Sequence, residues 1–201
     1  HNQGMSDTIA EPARHIPVIA DVDLCVVGGS CTGVFAAIAA SRLGLRVALI
    51  EIVGMLGGTA TASMVCVWHS LWDSVGKLKI TAGLTEQLID RLKKRGVVTE
   101  HPPTDRNWQF CFNPAEMATE LDLLAEEHGI RTFLHTRVVS VAVEGRVVSA
   151  IVIEDKSGRR AIRARAVVDA SGDADVLRRL GVSTRRHIHL QPPTTAAAIT
   201  G

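Results

Sequence analysis

Tyrosine is absent from the 201 residues, and aromatic side chains make up only 3% of them. That scarcity excludes the stacked aromatic platforms that hold single-stranded nucleic acid. Basic runs are missing as well. With 22 Lys+Arg against 21 Asp+Glu the formal net charge is +1, so neither nucleic acid nor another polyanion is expected as a partner. The four cysteines, Cys25, Cys31, Cys66 and Cys111, form no CxxC pair and no disulfide ladder. Reduced thiols in a cytoplasmic protein are the expectation. No apolar run is long enough for a membrane span, because Leu24 to Ile50 is interrupted by glycines, Arg42 and Arg46. Ser6 to Ala20 carries charges and prolines in place of a signal-peptide core, and residues 1–4, ahead of Met5, read as a tag remnant. What remains, 46% hydrophobic and 21% charged, is enough to bury a globular core.

One stretch carries most of the information: Asp21 to Glu51, DVDLCVVGGSCTGVFAAIAASRLGLRVALIE. Val22 to Val27 is apolar and β-prone, as a strand buried on both faces of a parallel sheet must be. Gly28 permits a tight turn, and Gly33 lets the next helix lie close to the sheet. That helix, about Thr32 to Leu43, is rich in alanine and turns its N-terminal N–H groups and positive dipole end toward an anion. Gly44 ends it. Arg46 to Ile50 is a second strand. Glu51 follows Gly28 by 23 residues, where a carboxylate can accept hydrogen bonds from an adenosine ribose. These parts in this order predict a dinucleotide held by its pyrophosphate and its ribose. Ser30 breaks the G-x-G-x-x-G pattern at its middle glycine. Its side chain is small, and its hydroxyl can donate to a phosphate oxygen.

After Glu51, Gly54, Gly57 and Gly58 lie among small residues (IVGMLGGTATASMV) and make a second backbone-rich loop beside the same site. Val65 to Lys79 shows no clean period. Leu84, Leu88, Ile89 and Leu92 form the stripe of a helix over Thr81 to Arg95, stopped by Gly96. Val97 to Phe112, with two prolines and Trp108, reads as a loop or irregular insertion. Asn113-Pro114 opens a further helix, with Asn as N-cap and Pro in the first turn. Ile130 to Leu134 is a strand that joins the parallel sheet. Val138–Val143, Val147–Ile153 and Arg160–Arg165, separated by Glu144-Gly145 and Lys156-Ser157-Gly158, predict a three-stranded antiparallel meander. Ala166 to Asp169 returns as a separate short strand, and its turn DASGDADV faces the same crevice.

Three segments, VVGGSCTGVFAAIAASRLGLRVALIE, GMLGGTATAS and VVDASGDADV after the meander, resemble the N-terminal half of the FAD-dependent oxidoreductases with the glutathione-reductase-like flavin fold, related to fumarate reductase flavoproteins. The resemblance runs from about Asp21 to Gly181. It implies an α/β fold: a Rossmann-like parallel sheet with helices and an antiparallel β-meander insert. It implies FAD as the cofactor. Gly28, Gly29, Ser30, Cys31, Thr32 and Gly33 would then lie at the pyrophosphate and Glu51 at the adenosine ribose. Gly57, Gly58 and Thr59 would follow the ribityl and phosphate path, and the backbone of Val138 would read adenine. Ala170, Ser171, Gly172 and Asp173 would close over the cofactor. Residues 1–20 form a tail, 21–181 an FAD-binding domain with its meander at about 137–165, and 182–201 the start of a C-terminal portion. The implied activity moves a hydride or electrons between a small organic substrate and flavin. A NAD(P)-dependent Rossmann enzyme and a non-catalytic flavin-holding subunit of a larger complex are the alternatives. A C-terminal fragment or second chain completing the fold is expected, since TTAAAIT reads as the start of a strand without a partner. A homo-oligomer is also open.

His69 is the candidate catalytic residue. It follows the Gly57–Thr59 loop, where a histidine can shuttle a proton, stabilise charge or carry a covalent flavin. The plainer reading makes it a polar residue in a packing segment with Trp68, Leu71 and Trp72. Cys31 sits at a helix N-terminus, where the dipole can lower a thiol pKa, but a redox role is not the reading taken; Cys25 is expected to serve as a small apolar core residue. His187 and His189 alternate as paired metal ligands do, but no third ligand accompanies them, so no metal is expected. Arg185 and Arg186 read as a solvated basic turn, Asp173 as a cofactor-loop residue, and Asp175 as a charge at a helix N-terminus.

Overall fold

Short apolar runs and longer amphipathic runs alternate along the chain, and the architecture follows from that order. In the computed structural model, which describes residues 8–69, 71–101, 109–185, 192, 194 and 195, the short runs pair into sheets and the long runs cover them. The elements are β1 (Val18–Val27), α1 (Cys31–Arg42), β2 (Val47–Ile50), β3 (Val67–His69), α2 (Leu84–Lys94), β4 (Val98–His101), β5 (Gln109–Phe112), α3 (Pro114–Glu127), β6 (Arg131–Phe133), β7 (Arg137–Glu144), β8 (Val147–Asp155), β9 (Gly158–Asp169) and α4 (Asp175–Arg179).

β1 is the spine of a six-stranded sheet of order β6-β2-β1-β9-β8-β7. Val22, Leu24, Cys25, Val26 and Val27 are all buried, which requires apolar residues in succession rather than in alternation. β2 and β9 flank β1 in parallel, so Val27 lies opposite both Ile50 and Asp169. β6 extends the parallel part beside β2, as expected of Ile130 to Leu134. The chain thus moves outward on one side of β1 and resumes on the other. Such a switch point opens a crevice at the carboxyl ends of the strands.

One sheet face, with Leu24, Val26, Val47 and Leu49, is covered by Val34, Ala37 and Ile38 of α1 and by Met117, Leu121 and Leu124 of α3, with Leu88 and Leu92 of α2 beyond. The other face, with Cys25, Val27, Ala48 and Ile50, packs with Val138, Ile151 and Ile153 of the meander and Val176 of α4. Each fully buried Leu or Ile contributes about 1.5–3 kcal/mol. α3 starts as its sequence predicts, with Asn113 Oδ1 accepting from the N–H groups of Ala115 (2.9 Å) and Glu116 (3.2 Å). Arg91 on α2 bonds Glu120 (2.6 Å) and Glu127 (2.7 Å) on α3, and Arg95 reaches Glu120 at 3.2 Å. Glu120 is only 4% exposed, so its charge depends on these partners.

Two expectations change. Arg160–Arg165 and Ala166–Asp169 are not separate strands. β9 is one strand of 12 residues, antiparallel to β8 over Gly158–Arg163 and parallel to β1 over Ala161–Asp169. No turn former interrupts AIRARAVVD, so the strand continues through. The described ends of the 97–112 segment are not irregular either. They supply β4 and β5, which join β3 in a three-stranded antiparallel sheet of order β3-β5-β4. Strands of four residues are too short to show a period. Trp68 ties this sheet to the core, with its ring edge-on to Phe112 at 5.5 Å and to Phe35 at 6.5 Å. Trp108, Arg186, His187, His189 and most of TTAAAIT lie outside the described residues. No described helix is long and apolar enough to cross a membrane.

Candidate functional site

At the carboxyl ends of β1, β2 and β9, loops far apart in sequence line one cleft of about 610 Å³. β1 turns at Gly28 directly into α1. Gly28 has φ +102°, and a Cβ there would come within 2.3 Å of the Ala170 carbonyl oxygen. At Gly33 a Cβ would lie 1.8 Å from the Gly28 carbonyl oxygen, so the helix rests on the turn more closely than any side chain allows. These are the two tasks the sequence predicts for them. The first turn of α1 contains no acidic residue, so the helix itself places no negative charge between its positive pole and the cleft.

Ser30 is the N-cap of α1 and lines the cleft. Its Oγ accepts from the Gly33 N–H at 3.4 Å, and its carbonyl accepts from the Val34 N–H at 2.9 Å. The hydroxyl proton is left for an acceptor in the cleft. The second glycine loop is clasped to this turn through backbone. Gly57 N–H donates to the Gly29 carbonyl at 2.8 Å, and Ser30 and Gly57 form a parallel bridge. Buried Thr61 braces the loop from behind, its hydroxyl donating to the Leu56 carbonyl at 2.6 Å. The Cys31 thiol donates into the clasp at the Gly57 carbonyl, 3.7 Å away. Burial pushes that thiol up to about 11, the opposite of the lowering expected at a helix N-terminus. Desolvation outweighs the dipole here. Cys25, in the core as expected, is pushed up to about 12 by the same cause.

Glu51 directly follows β2 and is 7% exposed. Its Oε2 accepts from the Gly29 N–H at 2.6 Å, and its Oε1 from the Val53 N–H at 2.9 Å. One carboxylate thus holds the first glycine turn and still lines the cleft, with lone pairs left for ribose hydroxyls. Thr136, Arg137 and Val138 complete that end, and the Thr136 N–H donates to the Glu51 carbonyl at 2.9 Å.

Of the other residues singled out in the sequence, Cys31, Thr32, Gly57, Gly58, Thr59, Ala170, Ser171 and Gly172 line the cleft. Gly29 and Gly33 shape it from beneath, Gly29 against Leu56 and Glu51. Asp173 is exposed and outside the lining, whereas Asp175 at the start of α4 belongs to it. His69 lies outside the lining as well. It is exposed at the end of β3, opposite Gln109, and does not line the cleft, whereas Val65, Val67 and Trp68 do. The aromatic wall at Trp68 was legible only as packing. Among the described residues no three His, Cys, Asp or Glu side chains converge to hold a metal ion.

The arrangement suits an elongated ligand with a phosphate between its ends. Two glycines clear the backbone for a pyrophosphate, a helix pole faces it, and a buried carboxylate waits one strand away. FAD fits these residues.

Compared by sequence with curated proteins, the chain matches none. By structure it is similar to a geranylgeranyl bacteriochlorophyll reductase-like protein from Thermoplasma acidophilum, with TM-score 0.58 and 18% identity over 81% of this chain and 42% of that one. It is similar to p-nitrophenol 4-monooxygenase PnpA from Pseudomonas putida, with TM-score 0.57 and 14% identity over 81% and 44%. It is also similar to L-proline dehydrogenase from P. horikoshii, with TM-score 0.55 and 15% identity over 85% and 58%. At these identities the likeness is one of fold, and the chain spans less than two thirds of each protein. A family model described as FAD dependent oxidoreductase matches residues 23–195, a span that takes in every loop of the cleft. The chain belongs to the FAD dependent oxidoreductase family, and its cofactor is FAD.

Proposed function

We propose that this chain forms the FAD-holding unit of an enzyme that moves a hydride or electrons between a small organic substrate and the flavin. The observation that carries this reading is the clasp of two glycine loops at the N-terminus of α1, with Glu51 bonded to the first of them. Residues 21–181 are the unit that holds FAD. The turn from Gly28 to Gly33 holds the pyrophosphate, with Gly29 and Gly33 acting through close packing. Glu51 accepts from the adenosine ribose, and the backbone of Val138 meets adenine. Gly57, Gly58 and Thr59 follow the ribityl and phosphate path, and Ala170, Ser171 and Gly172 close it. Asp175 replaces Asp173 in this set. The flavin supplies the redox chemistry when bound; the residues of the chain bind it, orient it and exclude water. We place the substrate-facing residues in polypeptide beyond this chain or in a second chain. The supporting fact is the share of each similar structure that the chain spans.

The test is spectroscopic. The purified chain is reconstituted with FAD and titrated by flavin fluorescence, with a visible absorption spectrum of the bound form. A yellow protein is expected, and Glu51→Ala should weaken FAD at least about tenfold, the equivalent of one charged hydrogen bond. A colourless protein that instead binds NADH would overturn the reading in favour of a nicotinamide enzyme. Bound flavin that no candidate substrate reduces, even with the completing polypeptide present, would favour a non-catalytic carrier.

A further inference from the structure

We propose that Asp169 is a positioning residue for the cofactor: its carboxylate braces the Ala170–Gly172 turn against the cleft and so sets how tightly FAD is held. The proposal rests on the FAD reading of the cleft.

Asp169 is the last residue of β9 and lies in register with Val27, immediately before Gly28. Both carboxylate oxygens are engaged. Oδ1 accepts from the Ser171 N–H at 3.2 Å and from the Ser171 hydroxyl at 2.6 Å. Oδ2 accepts from the Val176 N–H at 2.9 Å and the Leu177 N–H at 3.2 Å. Those last two donors belong to the first turn of α4, whose own N-cap residue, Ala174, offers no side-chain bond. Asp169 therefore caps α4 from the preceding strand. The Ser171 hydroxyl in turn accepts from the Asp175 N–H at 2.9 Å, which closes a ring of hydrogen bonds through turn and helix.

The turn depends on such a brace. Gly172 has φ +83° and Ala174 φ +56°, and a left-handed alanine is unfavourable on its own. Ala170 donates its N–H to the Val27 carbonyl at 2.7 Å, and its own carbonyl packs on Gly28. A shift of this turn therefore moves both the Ala170–Gly172 wall of the cleft and the support of the phosphate turn. Bonds to an ionised acceptor are stronger than neutral ones, so one carboxylate can hold four donors in place. Burial pushes the Asp169 carboxyl up, but its bonds from Ser171, Leu177 and Val176 outweigh that and hold it below its ordinary value.

The test compares Asp169→Asn with Leu92→Ala. The first keeps the size but turns one of the two acceptors into a donor. The second removes a buried side chain from α2, which takes no part in the brace or the cleft lining. FAD affinity is read by fluorescence titration, flavin geometry by visible circular dichroism, and the brace by hydrogen exchange of the chain without FAD. Asp169→Asn should weaken FAD at least about tenfold, the loss expected for charge-assisted bonds. It should also alter the flavin dichroism and speed exchange at Ser171, Val176 and Leu177. Leu92→Ala should hold FAD within about twofold of wild type at an equal or larger loss of thermal stability. Ser171→Ala removes the two bonds of the hydroxyl, one to the carboxylate and one from the Asp175 N–H, and should give an intermediate loss, which keeps the test open if Asp169→Asn does not fold. Wild-type affinity in Asp169→Asn, or affinity that falls in proportion to stability in both variants, would overturn the proposal. A wild-type chain that binds no FAD would instead overturn the functional reading, and unaltered exchange in Asp169→Asn would remove the brace itself.

Discussion

Gly33→Ala should reverse an ordinary rule. Alanine in place of a helix-interior glycine normally stabilises by about 0.5–1 kcal/mol. Here the new Cβ would stand 1.8 Å from the Gly28 carbonyl oxygen, 3.0 Å from its carbon and 3.3 Å from the Ala170 Cβ. The nearest atom is backbone and cannot rotate away. Gly28 is itself held by its N–H bond to the Ile50 carbonyl at 2.8 Å, and neighbouring Gly29 by Glu51 at 2.6 Å. The helix has to move instead, and it carries Val34, Ala37 and Ile38 in the core. Overpacking of this kind costs about 1–3 kcal/mol, so after the propensity gain a net loss of about 1–2 kcal/mol is expected. Urea unfolding of the chain without FAD measures it. Gly96→Ala is the control. Its φ is +72° with nothing within 4 Å, so only backbone strain of about 1 kcal/mol applies. FAD affinity separates the two further: Gly33→Ala should weaken it at least about tenfold and Gly96→Ala leave it unchanged. An unchanged or higher urea midpoint for Gly33→Ala, with normal FAD binding, would refute the close packing of α1 on its turn.

Ser30→Gly should change FAD affinity by no more than about threefold, because its cap bond is long at 3.4 Å and glycine is tolerated at N-caps within a few tenths of a kcal/mol; a tenfold weakening would show that the hydroxyl holds a phosphate. The Cys31 thiol, pushed up to about 11, is neutral at pH 7 and should react slowly with iodoacetamide there, faster as pH rises toward 10, and slower again with FAD in the cleft. Peptide mass spectrometry reads the rates, and rapid alkylation at pH 7 would contradict the assigned burial. Arg91→Ala leaves Glu120, 4% exposed, with Arg95 as its remaining partner at 3.2 Å, and should destabilise by about 2–3 kcal/mol. Adding Glu120→Gln should recover part of that loss in denaturant unfolding; no recovery would show that the Arg91 stem, not the charge pair, carries the effect.

What the sequence made legible was whatever depends on neighbours along the chain. Strand, turn and helix from Val22 to Leu43, the Asn113-Pro114 start of α3 and the reversals of the meander are each written in one short continuous stretch. What it hid depends on residues brought together by the fold. β3 and β5 pair across more than a helix, so His69 and Gln109 could not be recognised as paired strand ends. Cys31 was read from the helix pole, a local feature, while its thiol is governed by the Gly57 loop that buries it. Asp173 was read as the cofactor-loop residue and Asp175 as a charge at a helix start, yet across the left-handed Ala174 it is Asp175 that lines the cleft. His69 had the right chemistry and the right neighbourhood, but its place at the exposed end of β3 keeps it out of the lining.

The cleft is built by hydrogen bonds that continue the sheet beyond its strands. Gly28 N–H bonds the Ile50 carbonyl, Ala170 N–H the Val27 carbonyl and Glu51 N–H the Phe133 carbonyl, at 2.8, 2.7 and 2.8 Å. Each loop therefore leaves its strand tied to the strand beside it, and all of them start at one height. β9 adds a second constraint, because its first half is locked to the meander and its last residues run along β1. The Ala170–Gly172 turn cannot shift without disturbing one of those ladders. A site fixed in this way needs little ordering when its ligand arrives, so more of the interaction energy remains as affinity. Amide exchange in the Gly28–Gly33 and Ala170–Gly172 segments should then be nearly the same before and after FAD is added, apart from the N–H groups that bond the cofactor directly. Broad protection appearing only with FAD would mean that the cofactor, not the sheet, builds the cleft.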